Sequence, residues 1–414
     1  MKIAILGYGK EGKSAESYFQ KQGHDIQIFD NFTPADISKE DFSSFDLVLR
    51  SPSLQPQAGW SSMTRYFFDH CPCSIIGVTG TKGKGTTCSI IAAILETLGH
   101  KVWLVGNIGT PALDVLDQIQ PNDTVVYEMS SFQLWDLEKS PHLATVLRIE
   151  SDHLNVHKDY NDYISAKTNI VKYQTTQDFC IYNQNNIDST AIAKQSAGTK
   201  IPYPTPNKSA LLGDVLNTLN LPGEHNRENA EAALRTVAAY LGQNLEDLLA
   251  QNADVIKQTF KSFHGLPHRL QFLRETNGVK YYDDNFSSAF PALDVALAAF
   301  PNQPIILIAG GKDRGINLTP AKKRIFHDTP NLTKVFLIGE TSTLLTQGED
   351  TTKYQLCTNL DEAFASARQL AEKIAKDSST PAILLMSPGA PSFDMFQNFV
   401  DRGEKFQKLV QEVA

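Results

Sequence analysis

Two hydrophobic rhythms alternate along the chain. Short continuous runs of β-branched and aliphatic residues suit strands buried on both faces, and between them apolar side chains recur every three or four positions, as on helices. Residues 2–6 (KIAIL), Asp25–Phe29, Asp46–Leu49, Ile75–Thr79, Thr124–Tyr127 and Ala144–Ile149 read as strands, as do Val279–Tyr282, Ile305–Ala309, Val335–Ile338 and Ala382–Met386. Helical spacing follows the first run to about Gln22 and returns at Ile90, Ile91, Ile94, Leu95 and Leu98. It recurs over Asp162–Lys172, from Gly223 to about Leu241, and over Glu362–Ala375, where Phe364, Ala367, Leu370, Ala371 and Ile374 share one stripe. Residues 185–220 read as loop-rich. The alternation predicts an α/β protein in three parts, 1–70, 71–264 and 265–414, with the last boundary near the glycine and proline of Ser262–Pro267.

The stretch between the fourth strand and its helix is Thr79-Gly80-Thr81-Lys82-Gly83-Lys84-Gly85-Thr86-Thr87. Glycines there let backbone N–H groups close on phosphate oxygens at a helix N-terminus. Lys84 would reach the β/γ-phosphates and a hydroxyl of Thr86 or Thr87 would bind Mg²⁺. The usual phosphate-loop spacing is broken by Val78 and by Gly85 after the lysine, so an ordinary turn holding two lysines is the alternative. Near the N-terminus, Gly7-Tyr8-Gly9-Lys10-Glu11-Gly12 follows a strand and precedes a helix, with Asp30 closing the next strand. That layout is a dinucleotide fingerprint. The first part is too short to complete a two-halved dinucleotide sheet, which favours a mononucleotide handle over NAD.

Glu128 follows the Thr124–Tyr127 strand, and Glu150-Ser151-Asp152-His153 follows Ala144–Ile149. In a parallel sheet both would share the edge of the Lys84 loop, where a metal could sit. Each alone could be a solvated carboxylate or a loop histidine. Lys167, read by itself, is a surface lysine. Asn226 and Asn229 share a helix face and could read a base edge or cap a helix.

Composition narrows the classes. With 414 residues the chain exceeds one ordinary core, and 41% hydrophobic with 20% charged residues is ordinary for a globular protein. A net charge of -8 without a basic stripe argues against nucleic-acid binding. The apolar run at the N-terminus is too short for a signal peptide and no stretch is long and apolar enough to span a membrane, so the expectation is a cytoplasmic protein. The five cysteines are scattered, and Cys71 and Cys73 have no second pair to complete a metal site, so they read as free thiols.

Taken in order, Thr79–Lys84, Gly106-Asn107-Ile108-Gly109, Glu128-Met129-Ser130-Ser131-Phe132-Gln133-Leu134, Asp152-His153, Tyr163–Lys167, Gly223–Ala230, Leu266-Pro267-His268-Arg269, Gly310–Gly315 and Ser387–Gly403 closely resemble the Mur ligase family. The last block, SPGAPSFDMFQNFVDRG, resembles the branch that adds D-glutamate. The resemblance implies a small Rossmann-like N-terminal domain, a central P-loop ATPase-like domain with a mostly parallel sheet, and a Rossmann-like C-terminal domain. It implies a monomer that phosphorylates the carboxylate of UDP-N-acetylmuramoyl-L-alanine with ATP and joins D-glutamate through an acyl phosphate. It also implies residue roles. Gly80, Thr81, Lys82, Gly83, Lys84, Gly85, Thr86 and Thr87, with Asn226, Arg269 and Asp284, would bind ATP. Lys84, Glu128, His153 and Lys167 would be catalytic; Thr86 and Glu128 would hold one Mg²⁺, and His153 with a carbamylated Lys167 a second. Gly7, Tyr8, Gly9, Lys10, Glu11, Gly12, Asp30, Ser51, Asn107, Ser131, Gln133 and His153 would hold the UDP substrate. Arg314, Ser392, Phe393 and Phe399 would receive the amino acid.

The family segment DDSKATN stands here as Asp283-Asp284-Asn285-Phe286-Ser287-Ser288-Ala289, without its lysine and asparagine, and Arg314 stands where lysine is usual. These departures bear on amino-acid specificity and nucleotide contacts more than on the reaction type. Other readings are a ligase of the same architecture with another amino acid or a folylpolyglutamate-type substrate, a non-catalytic ATP sensor, and an NAD-dependent oxidoreductase.

Overall fold

The computed structural model describes residues 1–30, 37, 40–154, 156–378 and 380–413. It divides into two compact units, Met1–Thr218 with His225–Phe260, and Leu219–Glu224 with Lys261–Ala414.

The first unit holds two parallel sheets. β1 (Lys2–Leu6), β2 (Asp25–Phe29), β3 (Leu47–Arg50) and the two-residue β4 (Ser61–Ser62) lie in the order β2-β1-β3-β4. β5 (Ser74–Thr79), β6 (Val102–Gly106), β7 (Thr124–Glu128), β8 (Leu143–Val146), β9 (Phe179–Asn183) and β10 (Thr199–Tyr203) lie in the order β10-β9-β8-β5-β7-β6. β5 sits between β7 and β8, where the chain changes side of the sheet, and ligands of open α/β sheets bind at such points beyond the strand ends. Helices Lys84–Thr97 and Tyr160–Lys172 flank this sheet.

β4, β6, β9 and β10 lie outside the strands expected from sequence, and the loop-rich reading of 185–220 is corrected. That stretch contains helix Ile187–Ala193, β10 and helix Ala210–Asn217. β10 (TKIPY) is a half-exposed edge strand, so it needs no continuous apolar run and tolerates Pro202. The strand expected over 144–149 stops at Val146, yet its continuation still pairs with the phosphate loop: Leu147 N–H donates to Thr79 O (2.8 Å) and Thr81 N–H to Arg148 O (2.9 Å).

The second unit is built on one sheet of β11 (Gln271–Thr276), β12 (Val279–Asp283), β13 (Ile305–Gly310), β14 (Leu332–Ile338), β15 (Tyr354–Leu356) and β16 (Ala382–Met386). Its order is β11-β12-β16-β13-β14-β15, and only the β11–β12 pairing is antiparallel. Every residue of β13 (IILIAG) and β16 (AILLM) is buried, which is why both read as unbroken apolar runs. Helix Leu360–Asp377 covers one face of the sheet and helix Phe399–Gln411 packs beside it.

Candidate active site

In the first unit the site grows from the end of β5. Gly83 has a left-handed φ of 85°, and a Cβ there would lie 2.4 Å from Asn229 Oδ1, so only glycine lets the loop close against helix Glu224–Tyr240. Gly83 is also the N-cap of helix Lys84–Thr97 and has no side chain to occupy the first-turn amides. Lys84 Nζ donates to Gly80 O and Thr81 O, both at 3.0 Å, so the ammonium folds over the loop that it follows. Thr86 is half-buried, and the Thr87 hydroxyl is buried with no hydrogen-bond partner among the described residues. A glycine-rich loop, a helix N-terminus, a lysine and an unsatisfied hydroxyl together fit an anionic phosphate chain with its cation.

Three further groups gather here. Glu128, the last residue of β7, is buried and accepts a hydrogen bond from Asn107 Nδ2 (3.3 Å). Lys167 is 1% exposed, correcting its reading as a surface lysine: its position on helix Tyr160–Lys172 faces the sheet. Its Nζ donates to Gly80 O (2.9 Å) and Thr79 Oγ1 (3.3 Å) and lies 4.8 Å from the centre of the Tyr163 ring. Burial above all, and then the Lys84 charge, hold this amine well below its ordinary pKa, against the opposing pull of Asp152 and Glu128. His153 adopts a left-handed φ of 56° and donates its N–H to Asp152 Oδ1 (2.9 Å). Partial burial lowers its pKa, with the Lys84 and Lys167 charges adding to the effect and Asp152 opposing it.

Around these groups lie residues that sequence reasoning missed. His157 is buried between the Phe132 and Trp135 rings, with Nδ1 2.9 Å from Asp162 Oδ2 and Nε2 2.9 Å from Ser131 Oγ. The carboxylate fixes the imidazole, and the imidazole fixes the serine hydroxyl. Tyr163 OH is 2.9 Å from Thr81 Oγ1, which also exchanges hydrogen bonds with the Glu150 backbone, tying loop to helix. Nothing in the spacing of these residues signals that they meet.

The expected UDP-substrate residues fall into two groups. In the glycine loop, Gly7 has a φ of 88°, and a Cβ on Gly12 would sit 2.2 Å from Gly7 O, so the turn packs directly on its helix. Gly9 and Lys10 are exposed, Tyr8 N–H donates to Asp30 Oδ1 (3.1 Å), and the Tyr8 hydroxyl bonds to Glu16. Ser51 Oγ lies 2.6 Å from Ser53 Oγ. The other group links the two sheets of this unit. Gln133 Nε2 donates to Glu11 Oε1 (2.7 Å), while its own Oε1 accepts from Ser130 in a capping box. Burial raises the Glu11 carboxyl to about 7, against the pull of Gln133 and Arg50. Arg50, also unforeseen, is fully buried: Nε reaches Asp136 (2.8 Å), and the Nη atoms donate to Leu54 O (2.9 Å) and Phe132 O (3.1 Å). Asn107 is exposed, and Asn226 is buried on helix Glu224–Tyr240.

In the second unit the expected residues surround the carboxyl ends of β12, β13 and β16. The Arg269 guanidinium lies 3.7 Å from the centre of the Phe286 ring. Asp284 is buried and satisfied at both oxygens, by Leu270 N–H (3.0 Å) and Ser387 Oγ (2.6 Å), and burial still raises its carboxyl to about 7. Asn285, where the family motif has serine, is fully buried and accepts from Arg402 Nε (2.8 Å). The Arg402 Nη atoms reach Ala390 O (3.2 Å), Gly310 O (3.4 Å) and Asn285 O (3.4 Å). Ser392 is buried with an unpartnered hydroxyl among the described residues, whereas Arg314 and Phe393 are exposed. Phe399 opens helix Phe399–Gln411 with its ring edge-on to Phe286 at 5.2 Å. Among the described residues no helix is long and apolar enough to cross a membrane.

Comparison with known proteins places this geometry. The Mur ligase middle domain matches residues 78–237, which includes the phosphate loop, Glu128, His153 and Lys167. UDP-N-acetylmuramoylalanine--D-glutamate ligase of Acetivibrio thermocellus is 32% identical over 100% of this chain and 96% of its own length. The protein of that name from Clostridium kluyveri is 30% identical over 100% and 97%. In fold, a crystal structure of MurF from Acinetobacter baumannii aligns with a TM-score of 0.60 at 18% identity, covering 84% of this chain and 79% of that one.

Proposed function

Because the chain belongs to the Mur ligase family, whose members couple ATP cleavage to amide-bond formation, we propose that it adds D-glutamate to UDP-N-acetylmuramoyl-L-alanine in peptidoglycan precursor synthesis. The observation that carries this reading is the full-length correspondence with the D-glutamate ligases, which spans all three sheets. The muramoyl carboxylate takes the γ-phosphoryl group of ATP, giving an acyl phosphate and ADP. The amine of D-glutamate then attacks the acyl carbon, expels phosphate and gives up a proton as the amide forms.

The first step brings two anions together, and at about 4 Å two unit charges repel by about 4 kcal/mol at an effective dielectric of about 20. Lys84, held on the loop carbonyls, turns to the transferring phosphoryl group and offsets that repulsion. Thr86 and Glu128 would hold one Mg²⁺ through oxygen donors. His153 and Lys167 would serve a second. When bound, these ions neutralise phosphate charge and polarise the transferring group. An ammonium cannot ligate a cation; the neutral Lys167 amine adds to CO₂, loses a proton and becomes a carbamate with oxygen donors. The glycine loop of the first sheet holds the UDP diphosphate, Asn107, Ser131 and His153 the muramoyl part, and Asn226 the adenine. Arg269 and Asp284 also serve the nucleotide, and Arg314, Ser392, Phe393 and Phe399 the incoming glutamate. The protein acts as a cytoplasmic monomer without nucleic-acid or membrane partners.

Phe286, in place of the family lysine, favours a second reading in which the same ligase accepts another amino acid. Phosphate release with Mg²⁺, ATP and UDP-N-acetylmuramoyl-L-alanine, compared across D-glutamate, L-glutamate and other amino acids, separates the two. Release that needs both the nucleotide sugar and D-glutamate supports the proposal. Release with a different amino acid moves the specificity, and none with any donor leaves an ATP sensor.

A further inference from the structure

We propose that Cys71 and Cys73 are a reversible dithiol–disulfide couple that exchanges with low-molecular-weight disulfides of the glutathione class. Cys71 ends helix Met63–His70, its N–H on Phe67 O (2.8 Å), and Cys73 immediately precedes β5. Pro72 between them has its φ fixed by its ring, which restricts the connection. The two sulfurs lie 3.8 Å apart. A disulfide needs about 2.0 Å, so the two side chains must turn toward each other for the bond to form. Both thiols are half-buried at the rim of the first unit's core, accessible to a small disulfide, whereas Cys88, Cys180 and Cys357 are buried.

The pair is asymmetric. The Cys73 S–H stabilises a thiolate on Cys71 and lowers its pKa, while the Cys73 thiol is pushed up by that same contact, with burial and the Asp123 charge adding to it. In the order tested below, Cys71 is the attacking sulfur and Cys73 the resolving one. The Cys71 thiolate attacks one sulfur of the small disulfide, forms a mixed disulfide and releases one thiolate. Cys73 loses its proton and attacks Cys71 Sγ, forming the Cys71–Cys73 bond and releasing the second thiol. Two protein thiols are oxidised by two electrons, and one small disulfide is reduced to two thiols. The bridge closes a ring across the chain between the first sheet and the strand that carries the phosphate loop.

The test treats the purified full-length chain with glutathione disulfide, counts free thiols and maps the tryptic peptide 66–82, which contains both cysteines. The expected result is loss of two thiols of five, a peptide lighter by two hydrogens with no glutathione attached, and full recovery with dithiothreitol. In the Cys73→Ser variant glutathione stays on Cys71, and Cys71→Ser reacts at least about tenfold more slowly than the unsubstituted protein. Native protein that keeps all its thiols, retains glutathione on Cys71, or couples chain to chain would overturn the proposal.

Discussion

Lys167 in the first unit and Arg402 in the second are both basic side chains buried at the carboxyl edge of a mostly parallel sheet, yet their surroundings differ in kind. Arg402 is 0% exposed and makes four hydrogen bonds: Asn285 gives its side-chain and backbone oxygens, and Ala390 and Gly310 give their carbonyls. It remains a cation, lowered only to about 10. Lys167 reaches one carbonyl and one hydroxyl and looks onto an aromatic face, and burial holds its amine well below the ordinary pKa. A buried charge with several acceptors holds loops together, whereas an amine with few of them loses its charge more readily. Under the proposed function the same burial would make structure in one unit and a nucleophilic amine in the other.

The largest effect that would break this contrast is on turnover. Lys167→Met fills the same space without the amine and should lower phosphate release at least about a thousandfold while the melting temperature holds. Normal activity in that variant would remove the carbamate and reduce Lys167 to packing. Arg402→Met should do the reverse, costing about 3 kcal/mol in urea unfolding because Asn285, Ala390 and Gly310 lose their donor. An unfolding curve that matches the parent would show that the guanidinium network is dispensable.

The buried carboxyls sharpen the comparison, since Glu11 in the first unit and Asp284 in the second are both raised to about 7, with burial the first cause. Each binds its proton more tightly folded than unfolded. The stability it contributes is therefore complete below the unfolded value of about 4 and is lost as pH rises through about 7, by about 3 to 4 kcal/mol each. Glu11→Gln and Asp284→Asn should each flatten part of that fall in chemical denaturation between pH 5 and 8. Unchanged slopes would place the loss elsewhere. The smallest change is expected from Phe286→Ala, which removes the ring under Arg269 and should raise KM for ATP about threefold with kcat held. A fall in kcat instead would put Phe286 at the amino acid.

Where an element is buried on both faces, composition alone revealed it: β5, β13 and β16 are unbroken apolar runs, and the phosphate loop follows β5 directly. Edge strands such as β10 satisfy only one side and left no such run. Among candidate site residues, Lys84 and Glu128 were legible because strand ends predict an edge. Lys167 was not, since nothing local distinguishes a lysine that points into a sheet from one that points into water; only the family resemblance put it in the site. Arg50, His157 and Arg402 were invisible for the same reason, since their partners Asp136, Ser131 and Asn285 lie 86, 26 and 117 positions away in sequence.

Arg50 carries a mechanical consequence. It ends β3 in the first sheet and grips Asp136 and the Phe132 carbonyl beyond β7, and the Phe132 ring stands 5.0 Å from His153 and 5.2 Å from His157. A guanidinium is rigid and planar, so it acts as a strut with little slack. Arg50 thus cross-links the end of β3 to the Phe132–Asp136 segment, so the first sheet braces the stretch whose ring packs beside the two imidazoles.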